Sequence, residues 1–244
     1  MLIAGNWKMN GLAGALHEAY ALSQALSASP SVARVALCPP ATLLARLVQA
    51  ISGGPVQAGG QDCHAERDGA FTGDISAEML ADAGARLVIL GHSERRTGHD
   101  ETDVMVAAKV RAALRAGLEP IICVGETLVE RSAGNAESIV TGQMAASLPA
   151  ELRGHAFAVA YEPVWAIGSG LTPTADEIVS IHAAIRNTLR RMFDAQGPQA
   201  PILYGGSVKP ANAREILNLP EVGGALVGGA SLKALDFEAI IRAV

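Results

Sequence analysis

Positive charge is the first thing this chain is short of. It carries 19 basic residues against 24 acidic ones, for a net charge of −5, and no stretch gathers Lys or Arg into a block. Such a chain lacks the electrostatic footprint of a nucleic-acid or anionic-membrane binder, so the expected partner is a small molecule, with no nucleic acid and no membrane. Cysteine is scarce as well. Cys38, Cys63 and Cys123 are odd in number and far apart. They form neither a disulfide framework nor a Cys-x-x-Cys ligand pair, which favours a reducing, cytoplasmic setting. No apolar run is long enough to span a bilayer, and Met1 leads straight into Leu-Ile-Ala-Gly without a charged n-region and apolar h-region. His92, Glu94 and His99 have no known metal-ligand spacing, and no cysteine clusters with them.

What is present is a long alternation. Of 244 residues, 50% are hydrophobic, enough for one large core. Strand-like runs recur at Leu2–Asn6, Ala33–Cys38, Pro55–Gly60, Leu87–Leu90, Pro120–Val124, Phe157–Tyr161, Pro201–Tyr204 and Ala225–Val227. They are short and almost wholly apolar, as in a parallel sheet buried on both faces. Helical stretches lie between them. Val106, Val110, Ala113 and Leu114 make one apolar face, and Leu12, Leu16, Ala19 and Leu22 roughly make another. Eight strands alternating with helices imply an α/β fold, a single (β/α)8 barrel of parallel strands spanning residues 1–244. The alternative is an open doubly wound sheet, but no Gly-x-Gly-x-x-Gly follows the first strand.

In such barrels chemistry sits at the C-terminal ends of the strands. The polar residues obey that rule: Asn6 and Lys8 after the first, His92, Ser93 and Glu94 after the fourth, Cys123 and Glu126 after the fifth. The sixth run ends in Ala160-Tyr161-Glu162-Pro163-Val164-Trp165-Ala166-Ile167-Gly168-Ser169-Gly170. Glu162 stands at the root of a loop with a stiff entry, an apolar middle and a Gly-Ser-Gly exit. Glycines leave backbone N–H groups open to an anion. A rigid carboxylate beside an apolar, phosphate-ready loop suggests removal of a proton from carbon away from water. Position alone also allows Glu162 to be a surface carboxylate in an ion pair.

The run Tyr-Glu-Pro-Val-Trp-Ala-Ile-Gly-x-Gly resembles the base-and-lid segment of the triosephosphate isomerases. The resemblance extends from Ala4-Gly5-Asn6-Trp7-Lys8-Met9-Asn10 to Gly228-Gly229-Ala230-Ser231. It implies interconversion of dihydroxyacetone phosphate and D-glyceraldehyde 3-phosphate through an enediolate, in glycolysis and gluconeogenesis. Glu162 would be the base. His92 would be a neutral electrophile whose pKa is lowered by a helix N-terminus, a pairing for which this family is itself the worked case. Lys8 and Asn6 would stabilise the enediolate, with Glu94 holding Lys8. Gly168, Ser207, Gly228 and Gly229 would grip the phosphate. Cys123 would pack behind the base, and Ile167 would close over it opposite Leu226. No cofactor is implied, because the substrate's own carbonyl is the electron sink.

The long Gln61–Ser76 loop resembles the family's dimer loop, with Phe71, Thr72 and Gly73 reaching a neighbouring subunit, so a homodimer is implied. Two departures stand out. Ser169 replaces the usual threonine, keeping the hydroxyl and losing a methyl, and Asp62 stands where many relatives have asparagine. Another sugar-phosphate isomerase, or a silent barrel serving as a scaffold, are the competing readings. Glu162, His92 and Lys8 are all present, which a silent barrel would not need.

Overall fold

The structure is a computed structural model, and it describes residues 1–167 and 171–244. Eight strands form the sheet: β1 (Leu2–Asn6), β2 (Arg34–Cys38), β3 (Val56–Gly60), β4 (Leu87–Leu90), β5 (Glu119–Val124), β6 (Ala158–Tyr161), β7 (Ile202–Tyr204) and β8 (Gly224–Val227). The helices follow in order as α1 (Leu16–Ala28), α2 (Ala41–Ala50), α3 (Ala77–Asp82), α4 (Ser93–Gly98), α5 (Asp103–Arg115), α6 (Leu128–Ser132), α7 (Ala136–Ser147), α8 (Ala175–Phe193), α9 (Ala213–Leu217) and α10 (Ala234–Ile241). Each strand pairs in parallel with its neighbour in sequence, and β8 returns to β1, so the expected closed barrel is the one observed.

Alternation along each strand explains the unbroken apolar runs. One set of side chains, among them Leu2, Ala4, Ala36, Ile89, Ile121, Ala160 and Leu226, fills the barrel interior. The other set, including Ile3, Val35, Leu37, Val88, Ile122 and Val159, packs outward against the helices. Both faces are therefore dry, and polar residues are displaced to strand ends. Closure also demands a glycine at the β8–β1 seam: a Cβ on Gly224, whose φ is +148°, would lie 1.9 Å from the Leu2 carbonyl oxygen. At the opposite end from the site, the Arg34 guanidinium makes paired bonds of 2.8 and 2.7 Å to Glu119.

The helices start where their caps allow. Thr174 and Glu177 form a reciprocal capping box at α8, and Thr127 and Glu130 do so at α6. In α8, Ile178, Ile181, Ile185 and Leu189 are all buried, and in α5 so are Val106, Val110 and Ala113. Leu114 packs against the same core from its edge. One expected face is corrected. Leu12 precedes α1 and is 84% exposed, because a short 3-10 turn over Ala13–Ala15 intervenes and α1 begins only at Leu16. Among the described residues, no helix is long and apolar enough to cross a membrane.

Candidate active site

The strand ends converge on a cavity of about 710 Å³ lined by Asn6, Lys8, His92, Glu94, Glu162, Ile167, Ser207, Leu226, Gly228 and Gly229, among others. Residues from five different strand–loop junctions, after β1, β4, β6, β7 and β8, thus meet in one place. Gly168, Ser169 and Gly170 lie outside the described residues.

Asn6 ends β1, and its side-chain oxygen accepts the Lys8 backbone N–H at 2.9 Å. That bond helps hold Lys8 at φ +53°, a region that non-glycine residues rarely occupy and that is often found at functional sites. Gln61, just past β3, donates from one amide nitrogen to the carbonyls of Lys8 (2.9 Å) and Cys38 (2.8 Å). The Lys8 ammonium is thereby aimed into the cavity and pairs with the Glu94 carboxylate. Glu94 is half exposed, so this pair is solvent-screened.

His92 sits between β4 and α4 and caps that helix. Its Nδ1 accepts the Glu94 N–H at 3.2 Å. In the neutral ring the proton is then on Nε2, which donates to Glu162 Oε1 at 2.8 Å. Glu162 Oε2 accepts the Ser93 N–H at 2.9 Å. The carboxylate is only 2% exposed. Its backbone is boxed in: a Cβ on Gly125 would fall 1.7 Å from the Glu162 carbonyl oxygen, so only glycine fits there.

The expectation of a lowered His92 pKa is corrected. Burial opposes the charged ring, but the adjoining Glu162 carboxylate, joined by Glu94, outweighs it, and the pKa is raised. The reason is distance and length. A single short helix such as α4 supplies a modest dipole, whereas a full charge lies in hydrogen-bond contact.

Cys123 is wholly buried beside the base, and burial pushes its thiol well above the usual range. It is no thiolate at neutral pH. The loop leaving β6 is anchored through Glu126, fully buried, whose Oε1 accepts from Tyr161 (3.1 Å), Trp165 Nε1 (2.9 Å) and Arg131 (3.0 Å). Arg131 also stacks over the Trp165 ring at 5.0 Å. Ser207 and Gly228–Gly229 face the same cavity, where a 3-10 turn over Gly229–Leu232 follows β8 and α10 begins at Ala234. Trp7 Nε1 donates to the Ser231 carbonyl at 3.1 Å and ties the first loop to the eighth.

Sequence reasoning missed Gln61, the Ser93 amide and Lys209, which lines the cavity beside Ser207. For Gln61 the signal was its position, a polar residue directly after the apolar β3. A backbone donor such as Ser93 leaves no signal in residue type. Among the described residues, no group of three His, Cys, Asp or Glu is placed to hold a metal ion.

The dimer-loop residues lie elsewhere. The segment between β3 and α3 is pinned at its base by the His64–Ser76 bridge and a bond from His64 N–H to the Ile75 carbonyl at 2.8 Å. Phe71 stacks on His64 of its own chain at 4.1 Å and stays 41% exposed. Thr72 and Gly73 are exposed. Asp62 accepts from Lys109 Nζ at 2.8 and 2.9 Å and from Arg95 at 2.9 Å, and shares both cations with the buried Glu101.

The closed eight-stranded barrel, with its polar residues gathered at the strand ends, defines a protein of the (β/α)8-barrel class. The family model described as triosephosphate isomerase matches residues 1–244. The chain belongs to the triosephosphate isomerase family, whose members are aldose–ketose isomerases. It is 65% identical over 243 residues to triosephosphate isomerase of Caulobacter vibrioides, covering 100% of this chain and 96% of that one. To the Afipia carboxidovorans enzyme it is 57% identical over 242 residues, with 99% and 96% coverage. The crystal structure of triosephosphate isomerase from Bartonella henselae superposes with a TM-score of 0.93 at 46% identity, covering 99% of this chain and 98% of that one.

Proposed function

We propose that the chain interconverts dihydroxyacetone phosphate and D-glyceraldehyde 3-phosphate, with Glu162 as base. One observation carries this reading: a carboxylate 2% exposed, bonded at 2.8 Å to a histidine, at the wall of a cavity that also holds a lysine ammonium. The substrate's phosphate lies against Ser207, Gly228 and Gly229, where backbone N–H groups and the 3-10 turn favour an anion; Gly168 completes the grip. Its carbonyl and hydroxyl oxygens face Asn6, Lys8 and His92.

Those oxygens take over the His92 Nε2–H from Glu162. The released carboxylate turns to the substrate carbons, removes a proton from one and returns it to the other. Charge that develops on the enediolate oxygens meets Lys8 and the imidazole N–H. Release of Glu162 also removes the largest cause that raises the His92 pKa, so that burial and Lys8, which favour the neutral donor, are opposed by Glu94 alone. The substrate carbonyl is the electron sink, so no cofactor takes part. Ile167 and Leu226, both on the cavity wall, cover the base and keep water out. The whole chain acts as one barrel domain in the cytoplasm, serving glycolysis and gluconeogenesis. It works as a homodimer, with Phe71, Thr72 and Gly73 docked into the second subunit near Asn6 and Lys8.

A coupled assay with dihydroxyacetone phosphate tests the reading. Turnover is expected with this substrate and not with longer ketose phosphates. Preference for a longer ketose phosphate would reassign the substrate, and absence of any isomerisation would leave the barrel without this function.

A further inference from the structure

The substrate cavity has to draw a phosphate against the sign of the whole molecule. A phosphate monoester is largely doubly charged at neutral pH, and the chain carries a net charge of −5. Three carboxylates, Glu94, Glu162 and Asp236, line the cavity against two lysines, Lys8 and Lys209. The Lys8 ammonium is engaged by Glu94. Among the described residues no carboxylate makes an ion pair with Lys209, which is exposed on the same wall. Its main chain is nonetheless fixed. The Lys209 N–H donates to Asn212 Oδ1 at 2.7 Å, and its carbonyl accepts the N–H groups of Asn212 and Ala213 at 3.1 and 3.0 Å. Asn212 Nδ2 donates back to the Ser207 carbonyl at 3.0 Å, and Val208 between them is buried in the core. A rigid turn thus carries Ser207 and an unpaired ammonium two residues apart. None of the bonds that hold the turn uses the lysine side chain.

We propose that Lys209 is a capture residue for the substrate's phosphate: its ammonium draws the dianion to the Ser207 side of the cavity and so sets a preference for phosphorylated over neutral trioses. The inference rests on the cavity being the triose-phosphate site. A four-carbon stem on a fixed main chain lets this ammonium meet an incoming phosphate before the backbone donors close on it. Backbone N–H groups act at contact distance, whereas a free charge is felt over about 30 Å at 10 mM ionic strength and about 8 Å at 150 mM. Lys8 supplies less of this pull, because Glu94 matches its charge. Without Lys209, the three carboxylates would face that one lysine alone. Charges at a rim set the association rate and its salt dependence more than the chemical step. Lys209 therefore acts on kcat/KM and leaves proton transfer to Glu162.

The test compares wild type, Lys209→Met and Lys209→Arg on D-glyceraldehyde 3-phosphate and on D-glyceraldehyde, the same aldose without its phosphate, at ionic strengths of about 10 and about 150 mM. At the lower salt, Lys209→Met is expected to reduce kcat/KM for the phosphorylated substrate about fivefold or more, with kcat within about twofold and a flatter salt dependence. For D-glyceraldehyde the same variant should change kcat/KM by less than about twofold. Lys209→Arg keeps the charge and should restore most of the loss. Calorimetry with inorganic phosphate should show weaker binding to Lys209→Met by a factor similar to the loss in kcat/KM. Equal losses on both substrates would make Lys209 a structural residue and overturn the proposal. So would an unchanged kcat/KM for the phosphorylated substrate, or a loss confined to kcat. If wild type bound phosphate through Lys209 but isomerised neither aldose, the capture site would stand and the triose-phosphate reading would fall.

Discussion

A carboxylate with two donors has to give up at least one of them before it can act. Glu162 rests on His92 Nε2 and the Ser93 amide, and hydrogen bonds to charged groups are each worth about 1.5–3 kcal/mol. Substrate binding offsets that cost by giving His92 new acceptors. The reach of the side chain is then decisive. Glu162→Asp keeps the charge and retracts it by one methylene, and a misplacement of about 1 Å can cost on the order of 10²-fold. Steady-state kinetics should show kcat falling by about that factor with KM little changed. Near-normal kcat would move the base elsewhere, with Glu94 next in line.

Elements set how that carboxylate is covered and supported. The loop from β6 enters through the Trp165–Glu126 bond and leaves into α8, whose first turn is fixed by Thr174. Removing residues 166–169 should uncover the enediolate, which then eliminates phosphate; methylglyoxal is expected to accumulate during turnover, and a shortened enzyme with normal rate and none of this product would contradict a protective lid. Beneath, α8 docks on the sheet through His182, packed 5.8 Å from Tyr161 and 6.4 Å from Tyr204. Burial holds its pKa down at about 4, from 6.5, despite the bond between Nδ1 and the Glu221 carbonyl. The unfolded chain therefore takes up this proton near pH 6.5, and the folded chain only near pH 4. Its stability contribution is intact above the upper value and is lost as pH falls between the two, by roughly 3 kcal/mol in all. Urea titrations at pH 7 and pH 4.5 should show wild type losing about 2 kcal/mol more than His182→Phe, since the variant has no ring to protonate. Equal losses would place the acid sensitivity on other groups.

For the whole molecule, the long segment after β3 is the telling feature. Connections of this kind usually take about 2–6 residues. Here Phe71, Thr72 and Gly73 stand clear of the barrel, while Asp62 at its root is tied to Lys109 and Arg95. A half-exposed Phe at the tip of an anchored loop is a poor use of apolar surface in a monomer and a reasonable one in a symmetric dimer. Thr72→Arg with Gly73→Glu should therefore leave folded monomers in sedimentation, with most activity lost as Lys8 loses its support from the second subunit. A fully active monomer would sink the support claim, and an unchanged dimer would move the main contact elsewhere.

How far the amino-acid order reaches can be judged from particular residues. Each observed strand begins and ends within one residue of its expected bounds, because a strand dry on both faces is written as a short apolar run. The Tyr161–Ile167 motif and its glutamate were legible for the same reason: they are contiguous. Leu12 failed because helix onset depends on a local turn that apolar spacing does not register. The His92 pKa failed for a different reason. Its sign is decided by Glu162, far away in the chain and 2.8 Å away in space. Gln61, the Ser93 amide and the two cations shared by Asp62 and Glu101 belong to the same kind. Periodicity and motif are properties of neighbours along the chain. Electrostatics, hydrogen-bond partners and cavities are properties of neighbours in space, and these exist only once β8 has closed onto β1.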